Sequence, residues 1–136
     1  MKLSIIVPVF NSADNLLELH RRIYASIIKM NLENNFEIIL INDFSEDDSW
    51  KIIKSLATEN NYVKGLNLKK NFGQHNAIMA GMNYCKGDNI ITLDDDLQHP
   101  PEFMSDILKK LNDCEVCYTY YRNRKHIKWK KLVSKI

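Results

Sequence analysis

Two nearly unbroken apolar runs set the pattern of this chain: Leu3-Ser4-Ile5-Ile6-Val7-Pro8-Val9-Phe10 and Phe36-Glu37-Ile38-Ile39-Leu40-Ile41. A half-exposed strand alternates apolar and polar side chains, so runs this continuous predict central strands covered on both faces. Asn11-Ser12-Ala13-Asp14 then supplies turn and cap chemistry. A helix is predicted over residues 14–30, with Leu16, Leu17, His20, Ile23, Tyr24, Ile27 and Ile28 near one face. Residues 31–35 are a polar break, and the second strand ends at Asn42-Asp43. Residues 45–48 cap a second helix that carries Trp50, Ile53, Leu56 and Ala57 into a core and runs to about residue 59. A weaker strand follows at 62–68, then a basic, polar loop at 69–75. A short helix is predicted over 76–84, with Ala77, Ala80 and Gly81 small enough for close packing. Lys86-Gly87-Asp88 turns the chain into a fourth strand, 89–93. Pro100 and Pro101 suit a helix start, and that helix reaches about residue 111, before a fifth strand at 115–121 and a basic amphipathic helix at 127–136. This alternation predicts an α/β fold, a three-layer α/β/α sandwich on a mostly parallel sheet. Asn11, Asp43, residues 69–71 and Asp94-Asp95-Asp96 all leave strands at one edge of that sheet.

Charge changes the picture only at the end of the chain. The 136 residues carry a net charge of +2, which gives no sign of a nucleic-acid partner. Seven of the Lys and Arg side chains fall in residues 122–136, where there is no acid, and residues 1–121 carry a net of −5. An acidic body therefore ends in a basic tail. Cys114 and Cys117 stand three apart in a strand-like run and so face opposite sides, without further ligands at zinc spacing. With Cys85 they are expected to be reduced thiols, as in a cytosolic compartment. The first apolar run is too short for a signal peptide, and no apolar stretch approaches the roughly 18 residues of a membrane span.

The candidate chemistry lies in the fourth strand's exit, Asp94-Asp95-Asp96-Leu97-Gln98-His99-Pro100-Pro101-Glu102. If the strand geometry continues, Asp94 and Asp96 share a face and Asp95 points away. Two hard oxygen ligands on one face, with Gln98 nearby, suit Mg²⁺ or Mn²⁺ bridging to phosphate oxygens. The plainer alternative is a solvated acidic turn with Asp96 near a helix N-terminus. A dinucleotide fold is excluded, because Pro8-Val9-Phe10-Asn11 stands where its glycine-rich turn belongs, and no Walker loop is present. An aspartyl phosphatase would place its Asp-x-Asp on the first strand rather than the fourth.

Together these residues resemble glycosyltransferase family 2, the inverting enzymes of GT-A fold, and within it the polyprenyl-phosphate branch that includes the dolichol-phosphate mannose synthases. The likeness is carried by residues 7–11, by Asn42-Asp43-Phe44-Ser45-Glu46-Asp47, by Asn71-Phe72-Gly73 with Ala80-Gly81, and by residues 94–102. The resemblance implies that Asp94 and Asp96 hold a divalent metal with the donor diphosphate, joined by Gln98. It implies that Pro8, Phe10 and Asn11 line the base and ribose pocket, that Asp43 bonds the base or ribose, and that Asn71 and Asp95 sit near the donor. Arg122 would lie near phosphate or the acceptor loop. Two departures stand out: Asn42 and Phe44 occupy positions where the family commonly has Asp and Gly.

The expected reaction moves a sugar from a UDP- or GDP-linked donor to a polyprenyl phosphate, with inversion. An ionised phosphate acceptor needs no general base; a saccharide hydroxyl, the rival acceptor, does. His75 and His99 are the nearest bases, and both read more simply as structural. A third reading is a nucleotide-binding piece without turnover. The resemblance implies a nucleotide-sugar-binding core at 1–121 and the basic start of an acceptor- and membrane-facing segment at 122–136, in a chain that the family would carry further. It places the protein at the cytoplasmic face of a membrane.

Overall fold

The computed structural model describes residues 2–119, 121–122 and 126–127. They form two compact units, Met1–Glu102 and Phe103–Ile136. The first unit holds four strands and three helices: β1 (Leu3–Val9), α1 (Ala13–Lys29), β2 (Phe36–Asn42), α2 (Ser49–Glu59), β3 (Val63–Asn67), α3 (Gln74–Met82) and β4 (Asn89–Thr92). The strands make one parallel sheet in the order β3-β2-β1-β4. Every residue of β1 and β2 is buried, as their continuous apolar runs require of strands covered on both faces.

The layers follow from the handedness of parallel crossovers. The chain steps outward from β1 to β2 to β3, so α1 and α2 fall on one face and touch each other. It then returns through α3 to the far side of β1, which puts α3 on the opposite face, against β1 and β2. Leu16, Leu19, Ile23 and Ile27 are the buried stripe of α1, and Ile53 and Leu56 that of α2. On the other face Ala77 packs with Ile6, Ile39 and Ile41. α3 lies so close there that a Cβ on Gly81 would come within 2.8 Å of Ile6 Cγ2 and 2.9 Å of Ile41 Cδ1. The expected three-layer sandwich with a parallel sheet is therefore present.

At the amino-terminal edge of the sheet a buried polar knot replaces apolar packing. Glu37, 3% exposed, accepts hydrogen bonds from Ser4 Oγ (2.7 Å), Lys64 Nζ (2.6 Å) and the Lys86 N–H. Burial pushes this carboxyl up, but the bonds from Lys64, Ser4 and the Lys86 amide outweigh it and hold it down to about 2. Ser4 Oγ also accepts the Gly87 N–H at 2.9 Å, so the knot fastens the turn that enters β4.

Three expectations change. β4 ends at Thr92, so strand alternation does not extend to the three aspartates. The helix after Pro100 opens with a short 3₁₀ turn, Pro101–Phe103, before α4 (Met104–Leu111). Over residues 115–119 there is no continuous strand, only an isolated β-bridge at Tyr118. Instead β5 (Tyr121–Arg122) pairs antiparallel with β6 (His126–Ile127) in a separate two-stranded sheet. The run 115–121 is rich in β-formers, but only its last residue belongs to that ladder. The amphipathic helix expected over 127–136 falls almost wholly outside the described residues. Among the described residues no helix is long and apolar enough to cross a membrane.

Candidate active site

Strand order reverses between β1 and β4, where the chain has gone out to β3 and come back. In open parallel sheets the crevice beyond the carboxyl ends of such a strand pair is where ligands bind. A cavity of about 340 Å³ lies there, lined by Pro8, Val9, Phe10, Asp43, Asn71, Gly73, Gln74, Asp94, Asp95 and Asp96. That volume is within the range of small-ligand pockets. Its lining carries four carboxylates and no Lys or Arg.

Beyond Thr92 the chain makes a turn and a bend, with Leu97 at φ 60°. A non-glycine residue in that region costs about 1–2 kcal/mol, and the turn directs each aspartate to a different partner. Asp94 Oδ1 accepts from Gln74 Nε2 at 2.6 Å, and His99 Nδ1 lies 2.9 Å from Asp94 Oδ2. Asp95 Oδ2 accepts from the Phe10 N–H (3.0 Å) and from Ser12 Oγ (2.5 Å). Asp95 thus faces the first loop rather than pointing away. Asp96 Oδ1 accepts the Gln98 N–H at 2.9 Å; among the described residues no bond reaches its other oxygen. The loop's far end is fastened to α1 by a two-pronged pair, Arg22 Nε to Glu102 Oε1 (2.8 Å) and Nη2 to Oε2 (2.6 Å). The Arg22 guanidinium holds the Glu102 carboxyl below its usual range.

The loop after β1 is stitched to the loop after β2. The Asn11 N–H donates to Ser45 Oγ, Asn11 Oδ1 accepts the Glu46 N–H, and the Ser12 N–H donates to Ser49 Oγ. Asp47 accepts from the main-chain N–H groups of Ala13 and Ser49, at 2.9 Å each, so it pins the starts of α1 and α2. Asn11 and Phe44 take φ of 51° and 64°. Asn tolerates that conformation; Phe does so at a cost, and it stands half exposed. Asn42 Nδ2 donates to Asn67 Oδ1 at 2.7 Å, joining the ends of β2 and β3.

The geometry brings together Pro8, Phe10, Asp43, Asn71, Asp94, Asp95 and Asp96. Asn11 and Gln98 are not among the lining residues; the Asn11 side chain turns to Glu46, and Gln98 sits on the exposed bend beside Asp96. Arg122 belongs to the second unit, in β5. Three residues that sequence reasoning passed over hold the site: Gln74, placed there in a loop, Ser12, treated as cap chemistry, and Glu102. The described residues include no group of three or more His, Cys, Asp or Glu side chains gathered as a metal cage.

Comparison with known proteins fits this geometry. The family model "Glycosyl transferase family 2" matches residues 4–136. The undecaprenyl-phosphate 4-deoxy-4-formamido-L-arabinose transferase of Klebsiella pneumoniae is 41% identical over 137 residues, covering 99% of this chain and 41% of that protein. The chain thus spans about two fifths of that curated relative. Among solved structures, S. aureus TarS 1-349 in complex with UDP-GlcNAc aligns with a TM-score of 0.64 at 24% identity, over 85% of this chain and 32% of that one. The mannosyltransferase PcManGT of Pyrobaculum calidifontis, in complex with GDP-Man and Mn²⁺, aligns with a TM-score of 0.69 at 18% identity, over 81% of this chain and 32% of that one. These structural likenesses carry the fold, which is GT-A. From the match across nearly its whole length, the chain belongs to glycosyltransferase family 2.

Proposed function

We propose that this chain forms the donor half of a metal-dependent, inverting glycosyltransferase that moves a sugar from a nucleoside diphosphate to a polyprenyl phosphate. The observation that carries the reading is the cavity at the strand-order reversal, with Asp43, Asp94, Asp95 and Asp96 in its lining. A diphosphate does not enter such a cavity alone, because like charges repel. A divalent cation reconciles the two. The donor set in the lining fits one: the carboxylate oxygens of Asp94 and Asp96 are hard ligands of the kind Mg²⁺ and Mn²⁺ take, whereas Gln98, expected to join them, stands outside the lining. Bound there, the cation supplies electrostatic stabilisation of the leaving nucleoside diphosphate.

The chain's own residues do the rest. Asp96 offers the oxygen that no described residue engages, and Asp94 is held in place for the same task. Asp95 ties Phe10 and Ser12 to the acidic loop, which fixes the wall formed by Pro8, Val9 and Phe10. Asn71 and Asp43 line the same cavity, and we assign the nucleoside to them. The acceptor attacks the anomeric carbon from the face away from the leaving group, so configuration inverts. A polyprenyl phosphate is ionised near neutral pH and requires no proton removal. The Klebsiella relative named for undecaprenyl phosphate supports this acceptor. A lipid acceptor places the reaction at a membrane surface, and the seven basic residues of 122–136 suit contact with anionic lipid on the cytoplasmic face.

The test is transfer by the chain in its full natural context, offered UDP- and GDP-sugars with either a polyprenyl phosphate or a saccharide acceptor. A sugar joined to lipid phosphate is expected. Transfer to a saccharide hydroxyl alone overturns the acceptor, and binding without transfer to either overturns the activity.

A further inference from the structure

We infer that Gln74, held in register by Asp43, is a positioning residue for Asp94: it fixes Oδ1, while His99 Nδ1 lies 2.9 Å from Oδ2. Asp43 is 3% exposed and follows β2, with its own N–H bonded to Val9 O at 2.9 Å. Its two oxygens grip successive amides of the β3–α3 loop: Oδ1 accepts the Phe72 N–H at 2.7 Å and Oδ2 the Gly73 N–H at 2.8 Å. Bonds to a carboxylate are the stronger kind of hydrogen bond. Gly73 takes φ 86°, a conformation that side chains rarely adopt, so the chain turns sharply there into α3. Gln74 is the first residue of α3. The helix cannot slide, because Ala77 and Gly81 seat it against Ile6 and Ile41. From that fixed start Gln74 Nε2 reaches Asp94 Oδ1 at 2.6 Å.

The residue type matters. A carboxylate destined for a cation must be oriented without losing its charge. A lysine in place of Gln74 would pair with Asp94 and compete with the cation, and a glutamate would repel it. A neutral amide donor orients the oxygen and leaves the charge intact. The role in metal-dependent donor binding rests on the proposed function; the Asp43–loop–Gln74–Asp94 linkage does not.

Nuclear magnetic resonance of the 136-residue chain, free of ligand, reads the linkage directly. The Gln74 side-chain amide is expected to be shifted downfield and slow to exchange, to return to the free-amide position in Asp94→Ala, and to move in Asp43→Asn together with the Phe72 and Gly73 amides. A Gln74 signal at the free-amide position, unmoved by Asp94→Ala, overturns the inference. If buried Asp43→Asn does not fold, Gln74→Met carries the test, since Gln74 is exposed and Met suits a helix. That variant is expected to keep the thermal midpoint of the parent while its Mn²⁺-dependent affinity for UDP or GDP falls about tenfold. Unchanged affinity overturns the positioning role. A parent that shows the amide signature but binds neither nucleotide with Mn²⁺ overturns the proposed function and the role built on it, and leaves the linkage standing.

Discussion

Replacing Glu37 with glutamine tests whether the buried knot at the amino-terminal edge supports the sheet independently of the site. Lowering a carboxyl from 4.5 to about 2 on folding corresponds to about 3 kcal/mol of stability near neutral pH, at about 1.4 kcal/mol per tenfold change in acidity. The folded-state value is depressed, so this contribution is complete above pH 4.5 and is lost as pH falls from there to about 2. In Glu37→Gln one oxygen remains for Ser4 and the Lys86 N–H, while the new amide nitrogen faces Lys64 Nζ, donor against donor. Urea unfolding at about pH 7 is expected to show the variant about 3 kcal/mol less stable, with the gap narrowing by about pH 3 as the parent weakens. Nucleotide binding should be unaltered below the unfolding transition, because Glu37 is the second residue of β2 and the cavity lies beyond its last. A variant within about 0.5 kcal/mol of the parent at neutral pH, or one with the parent's full pH dependence, refutes the reasoning.

Other outcomes follow from single contacts. Gly87→Ala puts a Cβ 2.6 Å from the Ser4 backbone nitrogen and 2.9 Å from Lys2 O; neither atom can swing aside, so a loss of about 1–3 kcal/mol is expected in urea unfolding. Asp95→Ala removes the acceptor for the Phe10 N–H and Ser12 Oγ; it should lower stability by about 1–3 kcal/mol and raise hydrogen exchange at the Phe10 amide. Glu102→Gln leaves Arg22 with a neutral partner in place of a two-pronged ion pair at the surface; a change within about 1 kcal/mol is expected by thermal melting.

The sheet was legible in the chain where the physics is local. Two continuous apolar runs named β1 and β2 as central strands, and every residue of both is buried. The caps near residues 12 and 48 placed α1 and α2 to within a residue or so. The acidic stretch was legible in composition and only partly in geometry. Alternation was carried past Thr92, whereas the last ladder bond there is the Leu93 N–H to Ile6 O, after which the chain turns. Gln74 and Ser12 escaped because their partners, Asp94 and Asp95, lie 20 and 83 residues away, and spacing along a helix or strand does not report pairing at that distance. Residues 115–121 misled for a related reason: β-forming side chains describe what suits a pleated surface, not whether a neighbouring strand exists to pair with.

The central claim is that this chain binds a nucleoside diphosphate through a cation held by the Asp94–Asp96 loop. Calorimetric titration with UDP and with GDP, each with and without Mn²⁺, on the parent and on Asp96→Ala, tests it most directly. The account predicts that one nucleotide binds the parent only with Mn²⁺, and that Asp96→Ala lowers that affinity at least about tenfold. Metal-independent binding, no binding of either nucleotide, or an Asp96→Ala variant as tight as the parent would contradict it.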